Sequence, residues 1–252
     1  MTEKDFIYIR PGSLEDVLKL REQYPEGVKF LAGGTFKPRL EEGIEIIVDL
    51  QDAGLDQLDV EESGISVGGL AVLQDLEYVL DSDGFTKALK TEFGLNVRNT
   101  LSLSNFLAQA NGRSPILTCL LALEPTVYSL NQPQGVPLLQ YLTMGAPADV
   151  VTSLWIPDFK KLCFDGVGRS PKDLPIVCVA AVKRADASIH VAAGGLVELL
   201  EEFDLTELDD DGKDYISWLF REAEDAWASA EYRQNLSQVL LARVLQKLER
   251  IV

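Results

Sequence analysis

The spacing of apolar residues in the first part of the chain predicts a strand followed by a helix. The opening segment FIYIRPGSLEDVLKL is typical of a strand, a turn and a helix, and Leu14, Val17 and Leu18 form one apolar stripe of that helix. Ser13 is the expected N-cap of this helix, with Asp16 three residues later in an arrangement close to a capping box. A polar turn, Tyr-Pro-Glu-Gly, ends the helix.

Further apolar runs predict more strands, with helices between them. The strand-like runs are VKFLA, IEIIVDL, GISVGG and TVYSL. A helix is predicted where Leu73, Leu76 and Leu80 share one face, and helical patterns also begin and end the segment 85–123. Strands and helices therefore mix without strict βαβ alternation, which favours an α+β fold over a doubly wound sheet.

Near residue 150 the pattern changes to longer strands and then to helices. VVTSLWIP predicts a strand, and LPIVCVAAVKR and ASIHVAAGGL predict a hairpin joined by a short polar turn. Trp218 and Trp227 are assigned to one helix, and the chain ends in a longer helix. The apolar stripe of this last helix is predicted to be Leu236, Val239, Leu240, Val244 and Leu248.

The composition restricts the classes of partner. With 46% hydrophobic and 25% charged residues, the chain has the composition of a soluble globular protein. Its formal net charge of −17 argues against binding to nucleic acid or to an anionic membrane, since both would be repelled. No apolar run is long enough to span a bilayer, and residues 1–12 lack the apolar segment of a signal peptide, so a cytoplasmic protein is expected.

The few metal-binding side chains predict that any redox chemistry depends on a bound cofactor. Cys119, Cys163 and Cys178 are widely spaced and fit reduced thiols in a cytoplasmic protein. His190 is the only histidine and lies in an alternating strand, so a metal site or a catalytic triad is hard to build. No residue is identified as a general acid or base.

A glycine pair after a strand is the first candidate for binding chemistry. Residues 32–35, Ala-Gly-Gly-Thr, end the strand in FLAGGTFKPRL, where backbone N–H groups can converge on an anion. Glycine permits a positive φ and leaves room for close approach. By themselves these residues fit a tight turn between two strands better than a ligand site.

A second segment, around residues 99–104, favours the ligand site over the tight turn. Residues 99–104 are rich in small polar side chains, and they precede an apolar helix that runs into a strand. Two small-residue loops that present amides and hydroxyls are what a diphosphate between two subdomains requires. Arg98 and Arg113, and also Lys37 and Arg39, lie near these loops in the sequence. For each of them, offsetting the diphosphate charge and being a solvated surface cation are about equally favoured.

Several motifs in order resemble the flavin-binding subunits of the xanthine dehydrogenase and carbon monoxide dehydrogenase type, the FAD-domain family of the molybdenum hydroxylases. FIYIRPGSLEDVLKL resembles the family's opening, and FLAGGTFKPRL resembles its first flavin loop, Ala-Gly-Gly-Thr-Asp-Leu. VRNTLSLSNFLAQA is similar to the second flavin loop, Val-Arg-Asn-x-x-Thr-Ile-Gly-Gly-Asn, with Ser104 and Asn105 in place of the two glycines. LPIVCVAAV, HVAAGGL and SAEYRQNLSQVLLARVL resemble the family's second domain.

The resemblance implies a two-domain organisation with FAD between two N-terminal subdomains. Residues 1–149 are expected to form the FAD-binding domain, with subdomains of about 1–56 and 57–149, and residues 150–252 a smaller α+β C-terminal domain. The FAD pyrophosphate is expected to lie between the two loops. The residues implied to line it are Ala32, Gly33, Gly34, Thr35, Phe36, Ser102, Ser104 and Asn105.

The resemblance also implies partner subunits, and two alternative functions stay open beside it. The family's electrons pass from a molybdopterin-binding large subunit through a 2Fe-2S small subunit to the flavin, which reduces NAD or another acceptor. Side chains at Ser104 and Asn105 weaken the expectation of FAD binding, because each replaced glycine costs about 1 kcal/mol if positive φ is required. A flavin-free structural subunit is the second hypothesis, and a relative that binds another nucleotide in the same cleft is the third.

Overall fold

The structure, a computed structural model, describes residues 7–33, 43–144, 149–170, 173–199, 202–208 and 212–250. Within these ranges the chain forms three β-sheets and nine α-helices. The strands are β1 Ile7–Ile9, β2 Val28–Leu31, β3 Ile46–Asp49, β4 Leu58–Glu61, β5 Gly64–Gly68, β6 Thr126–Ser129, β7 Val136–Pro137, β8 Val151–Pro157, β9 Lys161–Val167, β10 Val177–Lys183, β11 Ile189–Gly194 and β12 Phe203–Asp204. The α-helices are α1 Leu14–Gln23, α2 Leu73–Leu80, α3 Asp83–Glu92, α4 Leu95–Arg98, α5 Leu103–Leu107, α6 Pro115–Ala122, α7 Leu138–Thr143, α8 Lys213–Leu219 and α9 Ala230–Glu249.

The first sheet is parallel, with the strand order β1-β3-β2. Ser13 caps α1 as predicted, since its hydroxyl accepts the N–H of Asp16 at 3.2 Å. β2 and β3 are neighbours that run in the same direction, so a tight hairpin turn does not join them. The interpretation of the glycine pair as a tight turn between two adjacent strands was therefore wrong.

The second sheet has five strands in the order β4-β5-β8-β6-β7, and its pairs are antiparallel. β8 lies at its centre, so the strand after residue 150 pairs with β5 and β6, which precede that residue. Helices α2, α3, α5 and α6 supply many of the buried apolar side chains of the large core beside this sheet. The domain boundary at residue 150 stays a prediction.

The third sheet is antiparallel, with the order β12-β11-β10-β9. β10 and β11 form the predicted hairpin, with Lys183 opposite Ile189. The long helix α9 packs on this sheet through buried Leu240, Val244 and Leu248. The mixture of helices and sheets confirms the α+β prediction.

Two details of the C-terminal prediction were wrong. Trp227 does not share a helix with Trp218: α8 ends at Leu219, and Trp227 lies in the irregular segment before α9. Val239, which was assigned to the apolar stripe, is 47% exposed. Periodicity alone places it on the margin of the stripe, and the packing of α9 on the sheet leaves that margin open to solvent.

Candidate functional site

The two predicted loops meet, although they are far apart in the sequence. A short antiparallel bridge joins Val72 to Ser102 and fixes the start of α5 beside the strand-like segment before α2. From this position the hydroxyl of Ser102 donates a hydrogen bond to the carbonyl of Ala32, at the end of β2. The two segments that resemble flavin loops therefore lie side by side.

Asn105 makes the second link between the loops. Its side-chain Nδ2 donates to the carbonyl of Ala32 at 2.9 Å and lies 3.5 Å from the carbonyl of Gly33. Ser102 and Asn105 stand at the N-cap and in the first turn of α5, so this helix directs both polar side chains at the same loop. We call Ala32, Gly33, Ser102 and Asn105 the loop junction.

Gly33 satisfies a steric requirement of the loop junction. Its φ is +107°, in the region that favours glycine. A Cβ at this position would lie 3.4 Å from Ser102 Oγ and 3.6 Å from Asn105 Nδ2. A side chain at residue 33 would therefore be strained and would extend into the space between the loops.

Ser104, in contrast, points away from the loop junction. Its hydroxyl accepts the backbone N–H of Val151 at 3.2 Å, and only 5% of the residue is exposed. Its own N–H donates to the carbonyl of Gly69 at 2.8 Å. Ser104 thus ties α5 to β8, and its predicted role in cofactor binding remains untested.

The backbone amides at the start of α5 are already hydrogen-bonded within the protein. Leu103 N–H donates to Ala71, Asn105 N–H donates to the hydroxyl of Ser102, and Phe106 N–H donates to the carbonyl of Ser102. With Ser104 N–H also bonded, the donors that this turn offers to a ligand are side-chain groups.

The remaining predicted residues of the first loop lie outside the described residues. These are Gly34, Thr35 and Phe36, together with the cations Lys37 and Arg39. Their predicted contribution to the site stays a prediction.

Two predicted cations form ion pairs elsewhere. Arg98 is buried and its NH1 lies 3.4 Å from Glu77. Arg113 pairs with Asp225 at 2.7 Å, and its guanidinium lies 4.1 Å from the ring centre of Trp227. Each positive charge is therefore balanced by a carboxylate.

A cavity of about 440 Å³ adjoins the loop junction at Gly33 and Ser102. It is lined by Leu31, Gly33, Asp49, Gln51, Asp56, Leu70, Val72, Thr100 and Ser102. Two of these residues are carboxylates that the sequence interpretation missed.

The sequence contained a pattern that could have identified Asp49 as a residue of the site. It ends the apolar run IIVDL, and in the sheet it lies opposite Leu31 at the carboxyl ends of two neighbouring parallel strands. Ligands commonly bind at such ends. The hydroxyl of Tyr8 donates to Asp49, and this hydrogen bond raises the pKa of the phenol.

Neither a metal centre nor a membrane-spanning helix is found in the described part of the chain. No group of three His, Cys, Asp or Glu side chains among the described residues is arranged to hold a metal ion. No helix there combines the length and the apolar character needed to cross a bilayer.

One family model and several solved structures match this chain. The family model described as "FAD binding domain in molybdopterin dehydrogenase" matches residues 4–159. The curated protein YgfM of Escherichia coli K12, which carries the description "uncharacterized", is 25% identical over 249 residues and 93% of each chain.

Solved structures match over nearly the whole chain. A chain of quinoline 2-oxidoreductase from Pseudomonas putida 86 has a TM-score of 0.71 at 20% identity, with 98% of each chain covered. A chain of the Cu,Mo-containing CO dehydrogenase has a TM-score of 0.68 at 21% identity, and one of carbon monoxide dehydrogenase from Hydrogenophaga pseudoflava 0.67 at 19%, with the same coverage. At these identities the structures establish the fold.

Proposed function

We propose that this chain, which belongs to the family of FAD binding domains in molybdopterin dehydrogenase, is the FAD-carrying electron-transfer subunit of a molybdenum hydroxylase-type oxidoreductase. It would pass electrons from iron–sulfur clusters through FAD to NAD or another acceptor. The observation that carries the proposal is the loop junction, where two segments about seventy residues apart meet at a glycine.

The fit of the cofactor can be tested at Gly33. A phosphate that lies on a backbone needs a residue without a Cβ, and here a Cβ would lie 3.4 Å from Ser102 Oγ and 3.6 Å from Asn105 Nδ2. The single hydrogen of the Ser102 hydroxyl is donated to the carbonyl of Ala32, so the nearby donor for a phosphate oxygen is the second N–H of the Asn105 carboxamide. A glycine with positive φ and one remaining side-chain N–H are what the described part of the site offers to a diphosphate at the loop junction.

The roles of the chain's own residues follow from this fit. Ala32, Gly33, Ser102 and Asn105 would hold the diphosphate, with Gly34, Thr35 and Phe36 completing the loop, while Ser104 supports α5 from behind. Bound FAD would supply the electron carrier. No side chain of the loop junction is a general acid or base, so the chain's contribution is binding and orientation.

The neighbouring cavity favours the uncharged part of the cofactor. Asp49 and Asp56 would repel a diphosphate, but carboxylates accept hydrogen bonds from sugar hydroxyls and from an exocyclic amine. A cavity of about 440 Å³ is within the usual range for small-molecule sites. We therefore assign the adenosine portion to this cavity and the diphosphate to the loop junction.

Partner chains are part of the proposal. Cys119, Cys163 and Cys178 are free, buried and located on three separate elements, so this chain offers no set of thiolates for an iron–sulfur cluster. The clusters and the molybdopterin would belong to a 2Fe-2S small subunit and a molybdopterin-binding large subunit. The molybdopterin part of this assignment is supported by the name of the family.

One observation favours the second candidate, a flavin-free structural subunit. Asn105, which stands where the family has a glycine, donates to the carbonyl of Ala32, so its side chain fills part of the loop junction. Under this alternative the chain keeps the fold and holds partner chains together without a flavin.

A visible spectrum separates the two candidates. Protein purified without added cofactor is expected to absorb in the flavin bands and to release about one FAD per chain on heating. If the protein is colourless and stays without flavin after incubation with excess FAD and gel filtration, the flavin proposal is wrong and the structural alternative stands. The same measurement on protein copurified with its partner chains shows whether assembly is needed for FAD uptake.

A further inference from the structure

The second loop, residues 99–105, is held against the start of α2 by a short run of backbone hydrogen bonds. Leu103 N–H donates to the carbonyl of Ala71 at 2.9 Å, and Leu73 N–H donates to the carbonyl of Leu101 at 3.0 Å. A two-stranded ladder of this length is only marginally stable by itself. The chain that leads into the ladder therefore needs a further attachment to stay in place.

Arg98 provides such an attachment directly before the ladder. It is the last residue of α4 and is buried, and its guanidinium lies 3.4 Å from a carboxylate oxygen of Glu77 on α2. Its Nε has no hydrogen-bond partner in the described part of the chain. Leu101 N–H donates to the carbonyl of Val97 at 2.8 Å, so α4 continues into the ladder without an intervening linker. The ion pair with Glu77 thus joins α4 to α2 at the point where the second loop begins.

Glu77 is ionised at neutral pH and can balance a buried guanidinium. Burial acts to raise the pKa of its carboxyl, but hydrogen bonds from Gln74 and Thr86, together with the two neighbouring cations, outweigh burial and lower this pKa. One of the cations, Lys90, has a side chain that is 60% exposed, and its Nζ lies 3.7 Å from Glu77. Loss of the carboxylate would therefore leave an unpaired buried charge at Arg98 and not at Lys90.

We infer that Arg98 is a positioning residue for the second loop, because its ion pair with Glu77 fixes the turn that brings Thr100 and Ser102 to the wall of the cavity beside the loop junction. Thr100 and Ser102 follow Arg98 closely in the chain, and both line this cavity. The charge of Arg98 is then used within the protein and is not offered to a phosphate. The consequence for FAD binding rests on the proposed function, because it concerns the same site.

Removing the ion pair should release the second loop more than it loosens the rest of the protein. In Arg98→Met, the amides of Leu101, Leu103 and Ser104 should exchange with deuterium faster than in wild type. The amides of β10, which lies in another sheet, should not. If the loop stays in place in about a tenth of the molecules, FAD should bind about tenfold more weakly, because the apparent affinity scales with the competent fraction.

A double variant separates positioning from stability. In Glu77→Gln the buried Arg98 has no carboxylate, so this variant should be less stable than wild type. In Glu77→Gln/Arg98→Met both charges are absent, so stability should recover relative to Glu77→Gln. The second loop should nevertheless still exchange fast and FAD should still bind weakly, because the link between α4 and α2 is missing. With a purely structural role, loop exchange and FAD affinity would recover together with stability.

Lys90→Met is the matched control. Lys90 pairs with the same carboxylate, but from an exposed position on α3. Since exposed ion pairs contribute little, this change should leave the exchange of the second loop and the FAD affinity as in wild type. Equal effects of Lys90→Met and Arg98→Met would overturn the role assigned to Arg98.

The experiment is hydrogen–deuterium exchange of the full chain, read by mass spectrometry on peptides that cover residues 99–105 and β10, with FAD titration of the flavin-stripped protein and urea unfolding. The expected result in Arg98→Met is faster exchange confined to residues 99–105 and weaker FAD binding. Unchanged exchange there overturns the positioning role, and so does faster exchange with an FAD affinity equal to that of wild type. If wild type itself binds no FAD, faster exchange confined to residues 99–105 still supports the positioning role, and the proposed function fails.

Discussion

Arg233 and Asp225 form an ion pair at the base of the last helix. Arg233 is fully buried, and its NH2 lies 2.7 Å from Oδ1 of Asp225. Its NH1 donates to the carbonyls of Ile176 and Gly195, at 2.6 and 3.0 Å. This single side chain therefore ties α9 to the third sheet and to the segment before α9.

Replacing Asp225 with asparagine should strongly destabilise the protein. The change removes the carboxylate that balances the buried Arg233 and also Arg113, and an unpaired buried charge typically costs about 3–5 kcal/mol. Urea unfolding of Asp225→Asn measures this loss. Glu222→Gln, at a glutamate whose side chain is 86% exposed, should change the free energy of unfolding by less than about 0.5 kcal/mol. Equal stabilities of the two variants would contradict this account of the ion pair.

Gly33→Ala should destabilise the protein about as much as Gly54→Ala, but only Gly33→Ala should affect FAD uptake. Both glycines have a positive φ, +107° and +72°, so both substitutions introduce strain of about 1 kcal/mol. Only the Cβ at residue 33 meets neighbouring atoms, at Ser102 and Asn105, whereas nothing lies within 4 Å at residue 54. FAD uptake should be lost in Gly33→Ala and retained in Gly54→Ala. Retained uptake in Gly33→Ala would remove the steric basis of the site.

The carboxyl of Glu92 should make stability depend on pH below neutrality. Burial raises its pKa to about 7, against the opposing hydrogen bonds from the Ser114 hydroxyl and the Ile116 N–H. Because the folded pKa lies above the ordinary value of 4.5, the folded state binds the proton more tightly. This contribution is complete below about pH 4.5 and is lost as the pH rises towards 7.

Comparison of wild type with Glu92→Gln checks this sign. The difference between their free energies of unfolding should change by up to about 1.4 kcal/mol per pH unit between pH 4.5 and 7, with wild type losing stability as the pH rises. Glu62→Gln, at an exposed glutamate, serves as the control, and its free energy of unfolding should depend on pH in the same way as that of wild type. A constant difference between wild type and Glu92→Gln across this range would refute the assignment.

The three thiols should resist modification in the folded protein. Cys119, Cys163 and Cys178 are all buried, and burial raises the pKa of each thiol, to about 12 for Cys178. Since the thiolate is the reactive form, a disulfide reagent at pH 8 should label none of them quickly and all three in denaturant. Rapid labelling of any one in the native state would show that its element opens readily.

Much of the architecture was predictable from short stretches of sequence. The N-cap at Ser13 and the β10–β11 hairpin depend on residues only a few positions apart, so local periodicity and turn chemistry are enough. The order of the motifs also identified the family, which the match over residues 4–159 confirms.

The direction of the side chains in the second loop was not predictable in this way. Ser104 and Asn105 are adjacent, and the sequence interpretation assigned both to the cofactor. In the structure Ser104 faces Val151 and Asn105 faces Ala32. The bridge between Val72 and Ser102 orients α5 and so decides which side chain faces which way.

The sequence by itself determined the local elements, the α+β class, the family and the two segments that meet. Only the tertiary structure decided that β2 and β3 are parallel, that Asp49 lies beside the loop junction, and that Asn105 fills part of it. The physical reason is the separation in sequence between the residues that interact. Helix caps and turns are stabilised by neighbours in the chain, whereas the loop junction depends on hydrogen bonds between residues about seventy positions apart.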